Sequence, residues 1–146
     1  MKNSSDIYSE DKRSEVMSKV KSKNTKPELQ VRSWLHRRGF RFRIHQTGLP
    51  GHPDVILAKY STVIFVHGCF WHQHPGCKKA TIPKKNHEFW REKLERNVER
   101  DNERVGQLEQ QGWNVITIWE CDLRRDVELV MKAVELRILK PPNQSD

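Results

Sequence analysis

The sequence predicts an α/β domain in which one mixed β-sheet is flanked by helices and a metal-binding loop is fastened beside it. Three observations predict it. Two apolar runs, DVILA at 54–58 and TVIFV at 62–66, stand close enough to form a hairpin. A third run, WNVITIW at 113–119, follows a long charged segment of helical character. Between the hairpin and that segment lies a stretch without periodicity that is dense in cysteine and histidine. The order α-α-β-β-β-α-β-α fits a single sheet with helices on its faces, and a chain of 146 residues is one domain whose core needs no disulfide.

In chain order, residues 1–12 are polar and predict a flexible tail, residues 13–140 the folded domain, and 141–146 a short C-terminal tail. Ser14 to about Ser22 predicts a short helix with Val16, Met17 and Val20 on one side. The next helix has Thr25 as N-cap, Pro27 in its first turn and Glu28 completing a capping box. Its apolar positions are Leu29, Val31, Trp34 and Leu35, and Gly39 stops it. Phe40, Phe42 and Ile44 alternate with Arg41, Arg43 and His45, as in a half-buried strand. TGLPGHP at 47–53 is a turn-rich loop, and Lys59–Ser61 turns the hairpin. A helix is predicted over 87–111, ended by Gly112, and a last helix over 126–139 before Pro141–Pro142.

The formal net charge is +8 and the pI about 9.6, so an acidic partner is expected. Residues 12–43 carry eleven Lys or Arg against Glu15 and Glu28, which points to nucleic acid, or more blandly to a solvated charged face. With no basic amphipathic helix and no long apolar run, a membrane partner is not expected. The N-terminus has no apolar signal region, and three cysteines are an odd count, so a reducing, cytosolic setting is expected.

Asp54, Cys69, His74 and Cys77 mix a hard oxygen donor with soft sulfur and imidazole donors, which suits two separate metal sites. Cys69, His74 and Cys77 need a fourth ligand, and Cys121 is the remaining cysteine, though spacing alone leaves His67 and His72 open as alternatives to His74. Asp54, following Pro53, is either a turn residue or a ligand for Mg²⁺, which accepts one or two carboxylates. Glu28 is explained equally by its capping box or by a role near that ion. In the long helix Leu94, Val98, Val105 and Leu108 form an apolar stripe whose missing member is Asp101. Asp101 either marks the edge of the stripe or faces inward, where it needs a partner such as a histidine. Phe70 and Trp71 look exposed in a polar loop, while Trp90, in line with Leu94, divides between core and surface.

VIFVHGCFWHQHPGC, preceded by LPGHPD and followed by EFWREKLERNVERD and IWEC, resembles the very short patch repair endonucleases, as does KSKNTKPE at 21–28. The resemblance covers about residues 12–140. It implies a restriction-endonuclease-like fold and a Mg²⁺-dependent nick 5′ to the thymine of a T·G mismatch in double-stranded DNA. Such mismatches arise when 5-methylcytosine deaminates, so a cytosine-5 DNA methyltransferase is the implied functional neighbour and a bacterial, nucleoid-associated cytoplasmic setting the implied location. A single nick needs only a monomer. The resemblance makes Asp54 the Mg²⁺ ligand with the Val66 backbone carbonyl, His72 the base that activates water, and Asp101 the carboxylate that orients it. Glu28 and His67 match two further active-site residues. Cys69, His74, Cys77 and Cys121 match ligands of a structural Zn²⁺. Phe70, Trp71 and Trp90 match aromatics that enter the DNA stack. Lys19, Lys21 and Lys23 lie in the basic segment expected to meet phosphates. Val66 stands where some members have threonine, and Pro75–Gly76 lengthens the ligand loop. Two other readings remain: a restriction-type endonuclease of the same fold, and a zinc-stabilised DNA-binding protein, which would not need Asp54, His72 and Asp101 together.

Overall fold

A computed structural model describes residues 25–45 and 48–141. The helix expected at 14–22, the tail 1–12, Lys19, Lys21, Lys23 and the last five residues lie outside the described residues. Helix α1 spans Lys26–Arg37, strand β1 Val55–Leu57, β2 Thr62–His67, helix α2 His87–Gln110, β3 Asn114–Trp119, α3 Glu120–Arg125 and α4 Val127–Leu139. The described sheet runs β1-β2-β3. Strand β1 pairs antiparallel with β2, Val55 opposite Ile64, and β2 pairs parallel with β3, from Thr62 opposite Asn114 to His67 opposite Trp119. The parallel pair requires a crossover, and α2 provides it.

Alternation along the strands divides the core in two. Val55, Leu57, Ile64, Ile116 and Ile118 pack with Val31, Leu35 and Phe40 and with Met131, Val134 and Ile138 of α4. Ile56, Val63 and Phe65 face the other way and pack with Leu108 of α2. Strands covered on both faces explain why their sequences are apolar runs rather than alternating ones. The parity matters for function: His67 continues the series Val63, Phe65 and so emerges on the α2 side of the sheet.

The expected hairpin, long helix and last helix are present, and the helix at Thr25 has its cap, with Glu28 N–H donating to Thr25 Oγ1 at 3.4 Å. Three expectations change. Leu29 is half exposed, and the inward face of α1 carries Glu28 and Arg32 beside Val31 and Leu35, because that helix borders a polar cleft. The strand expected at 40–45 shrinks to a bridge in which Arg43 and Ile56 exchange two 2.9 Å backbone hydrogen bonds. Its partner β1 has three residues before the turn Ala58–Tyr60, so no longer ladder can form. Phe40 packs on Tyr60. The short α3 follows β3 directly, an element whose six residues carry too little periodicity to announce it.

Candidate active site and thiolate centre

The loop after β2 folds back at once: His72 N–H bonds to Gly68 O at 3.2 Å and His74 N–H to Cys69 O at 3.0 Å. These turns send the side chains of 67–77 to two places. Cys69, His74, Cys77 and Cys121 converge, their ligand atoms all within 4.8 Å of one another. His74 Nδ1 lies 3.7 Å from Cys69 Sγ and 3.3 Å from Cys121 Sγ. In a tetrahedron with ordinary Zn–S and Zn–N bonds the S···N edge is about 3.5 Å, so this donor set fits such an ion. Gly76, at φ +74, lets the Pro75–Gly76 turn bring Cys77 back to the cluster. Burial pushes the Cys69 thiol up to about 12, and the neighbouring Cys121 and Cys77 thiols add to the rise. His74 is oriented by a ring stack on Trp119, centroids 4.2 Å apart.

Trp119 also meets His67 edge-on at 5.3 Å, and beyond His67 the second place begins. A cleft of about 620 Å³ is lined by Glu28, Asp54, His67, His72, Asp101 and Arg104, among others. Asp54 precedes β1, its N–H bonded to Ile64 O at 2.9 Å. Its Oδ2 accepts the Val66 N–H at 2.6 Å, which leaves Oδ1 without a hydrogen bond among the described residues. Burial raises the Asp54 pKa to about 6, and the nearby Glu28 charge adds to this, while the Val66 N–H, Arg32 and His72 oppose it. Glu28 accepts from Arg32 at 2.9 Å and from the Thr25 hydroxyl at 3.2 Å, so both its helix-capping and its cleft positions are real.

Asp101 does turn inward from the apolar stripe, and its partner is a histidine: His72 Nδ1 stands 2.6 Å from Asp101 Oδ2. The rings of His67 and His72 are parallel, 3.7 Å apart. Burial and the adjacent His72 lower the His67 pKa to about 3, with Asp101 partly offsetting them, so His67 is neutral at ordinary pH. Although His67, His72 and Asp101 also lie within 4.8 Å of one another, parallel rings do not aim their lone pairs at one point. Asp101 instead fixes the His72 ring through Nδ1 and leaves Nε2 without a hydrogen bond among the described residues, an arrangement able to take up a proton.

Phe70, Trp71 and Trp90 come together as a ring cluster, with centroids 5.2 to 5.9 Å apart. The expectation that Trp71 is exposed is overturned: Trp71 and Trp90 are both buried, packed on Leu94. Lys93 stands over the rings of Trp71, Phe89 and Trp90. Three further cleft residues and one residue beside the cleft escape the sequence reasoning. Asn97 is buried and donates to Trp71 O at 3.3 Å. Arg100 donates to the Asn97 side chain. Arg104 lines the cleft, and Trp119 lies between the two centres. The spacing of Asn97, Arg100, Asp101 and Arg104 on one helical face was a usable signal for the first three; nothing in the sequence marks Trp119 as more than a strand residue.

The geometry meets its counterpart among known proteins. The family profile described as DNA mismatch endonuclease Vsr matches residues 5–79. A protein of Neisseria meningitidis serogroup A named a type II nicking enzyme is 50% identical over 119 residues, 82% of this chain and 84% of that protein. A type II nicking enzyme of Xanthomonas oryzae is 45% identical, covering 81% of this chain and 86% of its own. The DNA mismatch endonuclease Vsr of Escherichia coli is 38% identical over 133 residues, 91% of this chain and 85% of that enzyme. A profile over half the chain and relatives aligned across most of both lengths make this chain an endonuclease acting on DNA, a member of the Vsr family of mismatch endonucleases.

Proposed function

We propose that this endonuclease nicks one strand of duplex DNA 5′ to the thymine of a T·G mismatch left by deamination of 5-methylcytosine, with Mg²⁺ in the cleft and Zn²⁺ at the thiolate centre. The observation that carries the reading is the His72–Asp101 pair, 2.6 Å apart, in a cleft that also holds Asp54. His72 Nε2 takes the proton from the attacking water, and Asp101 fixes the tautomer and supports the imidazolium that forms. His67, stacked on His72 and neutral, confines the ring without competing for Asp101. Asp54 Oδ1 and the Val66 carbonyl would hold Mg²⁺, hard oxygen donors suited to an ion that keeps several waters. When bound, that ion supplies positive charge against the negative charge building on the phosphate. Glu28, braced by Arg32, supports the acidic side of the same pocket.

At the other centre Cys69, His74, Cys77 and Cys121 would hold Zn²⁺ with no open position, a structural rather than a catalytic set. The fold is read as restriction-endonuclease-like: a mixed sheet whose hairpin presents an aspartate beside α2. Phe70, with the packed Trp71 and Trp90 behind it, is the aromatic block that meets the base stack. Wedging costs a few kcal/mol per step and less where pairing is already weak, which favours a mismatch. Lys19, Lys21 and Lys23 bind phosphates without regard to sequence.

A second reading has its own support, since two of the most similar relatives are named type II nicking enzymes. On that reading the chain nicks at a recognition sequence without a mismatch. Nicking with Mg²⁺ of T·G, T·A and C·G duplexes in varied flanking contexts decides between them. Cutting of T·G at least tenfold faster than T·A is expected; equal rates on both would overturn the mismatch reading.

A further inference from the structure

The inward face of α2 carries a polar residue at three successive turns: Asn97, then Arg100 and Asp101, then Arg104. The first three are committed within the protein, Arg100 to Asn97 and Asp101 to His72. Arg104 is not. It is partly buried, it lines the cleft, and among the described residues it makes no hydrogen bond or ion pair. The cleft acids do not supply its counter-charge: Glu28 is engaged by Arg32 and Thr25, Asp101 by His72, and Asp54, bonded to Val66, makes no ion pair with it. Its guanidinium nitrogens are not buried, so the fork of donors is open to an anion that enters the cleft.

Its stem is nevertheless well seated. A Cβ on Gly51 would meet Arg104 Cδ at 3.1 Å and Phe65 Cζ at 3.2 Å, so the side chain runs over a glycine that leaves it room. Gly51 has φ +76 and is three residues before Asp54, which brings the stem of Arg104 and the metal-binding carboxylate to the same wall. A planar fork of donors that lines the same cleft as that carboxylate matches a tetrahedral anion carrying two non-bridging oxygens.

We propose that Arg104 grips the phosphodiester to be cut, its guanidinium on the non-bridging oxygens of the phosphate that enters between Asp54 and His72. The inference rests on the reading of this cleft as the nicking site. Arg104 is then a catalytic residue that both holds the substrate phosphate and balances the charge that grows on it in the transition state.

The test measures binding to T·G duplexes without divalent ion, each duplex carrying one neutral methylphosphonate at a different position. The intact protein should lose roughly tenfold in affinity at the phosphate it nicks, the order expected for one charge-assisted contact. Arg104→Met, which keeps the stem over Gly51, should bind unmodified duplex more weakly and lose nothing further at that position, while matching the parent everywhere else. Arg104→Lys should recover part of the loss, and its single-turnover nicking with Mg²⁺ should fall between parent and Met variant. Arg104→Gln carries the same test if the Met variant unfolds. A variant that keeps the parent's full penalty at the nicked phosphate overturns the proposal, and so does one whose missing penalty lies at another phosphate. Equal nicking of T·G and T·A by the parent would sink the mismatch reading instead, and would leave the phosphate profile untouched.

Discussion

The thiolate centre and the cleft draw on one stretch of eleven residues, His67–Cys77, and use it in different ways. At the first, four donors from the loop and α3 converge to within 4.8 Å of one another, a spacing that could hold one ion. At the second, the donors are held apart by bonds to one another or to the backbone: His72 to Asp101, Asp54 to Val66, Glu28 to Arg32. His72, Asp101, Asp54 and Glu28 all line a cleft of about 620 Å³. On the proposed reading, closure suits the first to fastening and incomplete satisfaction suits the second to reaction. Loop 68–86 is tied to α2 beside His72 by Trp71, which packs on Trp90 and Leu94 and whose carbonyl accepts from Asn97; on the proposed reading the zinc centre is a second tie.

The sharpest way to break the comparison is to open the closed centre. Cys77→Ser or Cys121→Ser should abolish stoichiometric zinc, lower the unfolding midpoint, and eliminate nicking as well, since structural zinc contributes directly to folding. Elemental analysis should find one zinc per chain in the parent. Active, folded parent protein without zinc would remove the centre from the account.

Disabling the open centre should leave the fold intact. His72→Ala should lower single-turnover nicking by on the order of 10²- to 10⁴-fold, the usual contribution of a positioned base, with unchanged zinc content. Asp101→Asn should cost less, because it disturbs the tautomer of His72 rather than removing the base. Parent-rate cutting by the His72 variant would move the role to His67.

Between the two stands Trp119, stacked on His74 and edge-on to His67. Trp119→Leu should loosen zinc binding and slow nicking together, each by several-fold, and Trp119→Phe should restore most of both. Zinc retention with slowed nicking would mean that the tryptophan serves the cleft alone.

How much of this was legible in the sequence follows from what each signal depends on. The cysteines, the hairpin and the long helix are local patterns, and all appear where periodicity and ligand chemistry placed them. Asp101 was legible because a carboxylate interrupts an apolar stripe, a conflict that calls for a partner. The buried Trp71 was not legible, because the surface that covers it comes from Trp90 and Leu94 of α2, nineteen and more residues away. The strand at 40–45 was half legible: its alternation puts Phe40 and Phe42 inward, but its ladder depends on the length of β1. Arg104 required the cleft to be seen at all, since only there does a lone charge among many become an unpartnered one.

The mildest test concerns the cost of keeping the cleft reactive. Asp54 has its pKa raised from 3.8 to about 6, chiefly by burial. A carboxyl group raised in the folded state favours folding while protonated, below the unfolded value, and that advantage is lost as pH rises through the folded value. Metal-free protein should therefore lose stability between pH 4 and 6, on account of Asp54, and remain lower above that range. Asp54→Asn keeps an oxygen to accept the Val66 N–H and carries no charge. At pH 8 and without divalent ion the variant should be more stable than the parent by roughly 1–3 kcal/mol, with allowance for partial solvent screening. At pH 4 the difference should nearly vanish, and added Mg²⁺ should raise the midpoint of the parent but not of the variant. The same variant should be inactive, as expected where stability is given up for a reactive site. A variant no more stable than the parent at pH 8 would mean that solvent or neighbouring cations already relieve the buried charge.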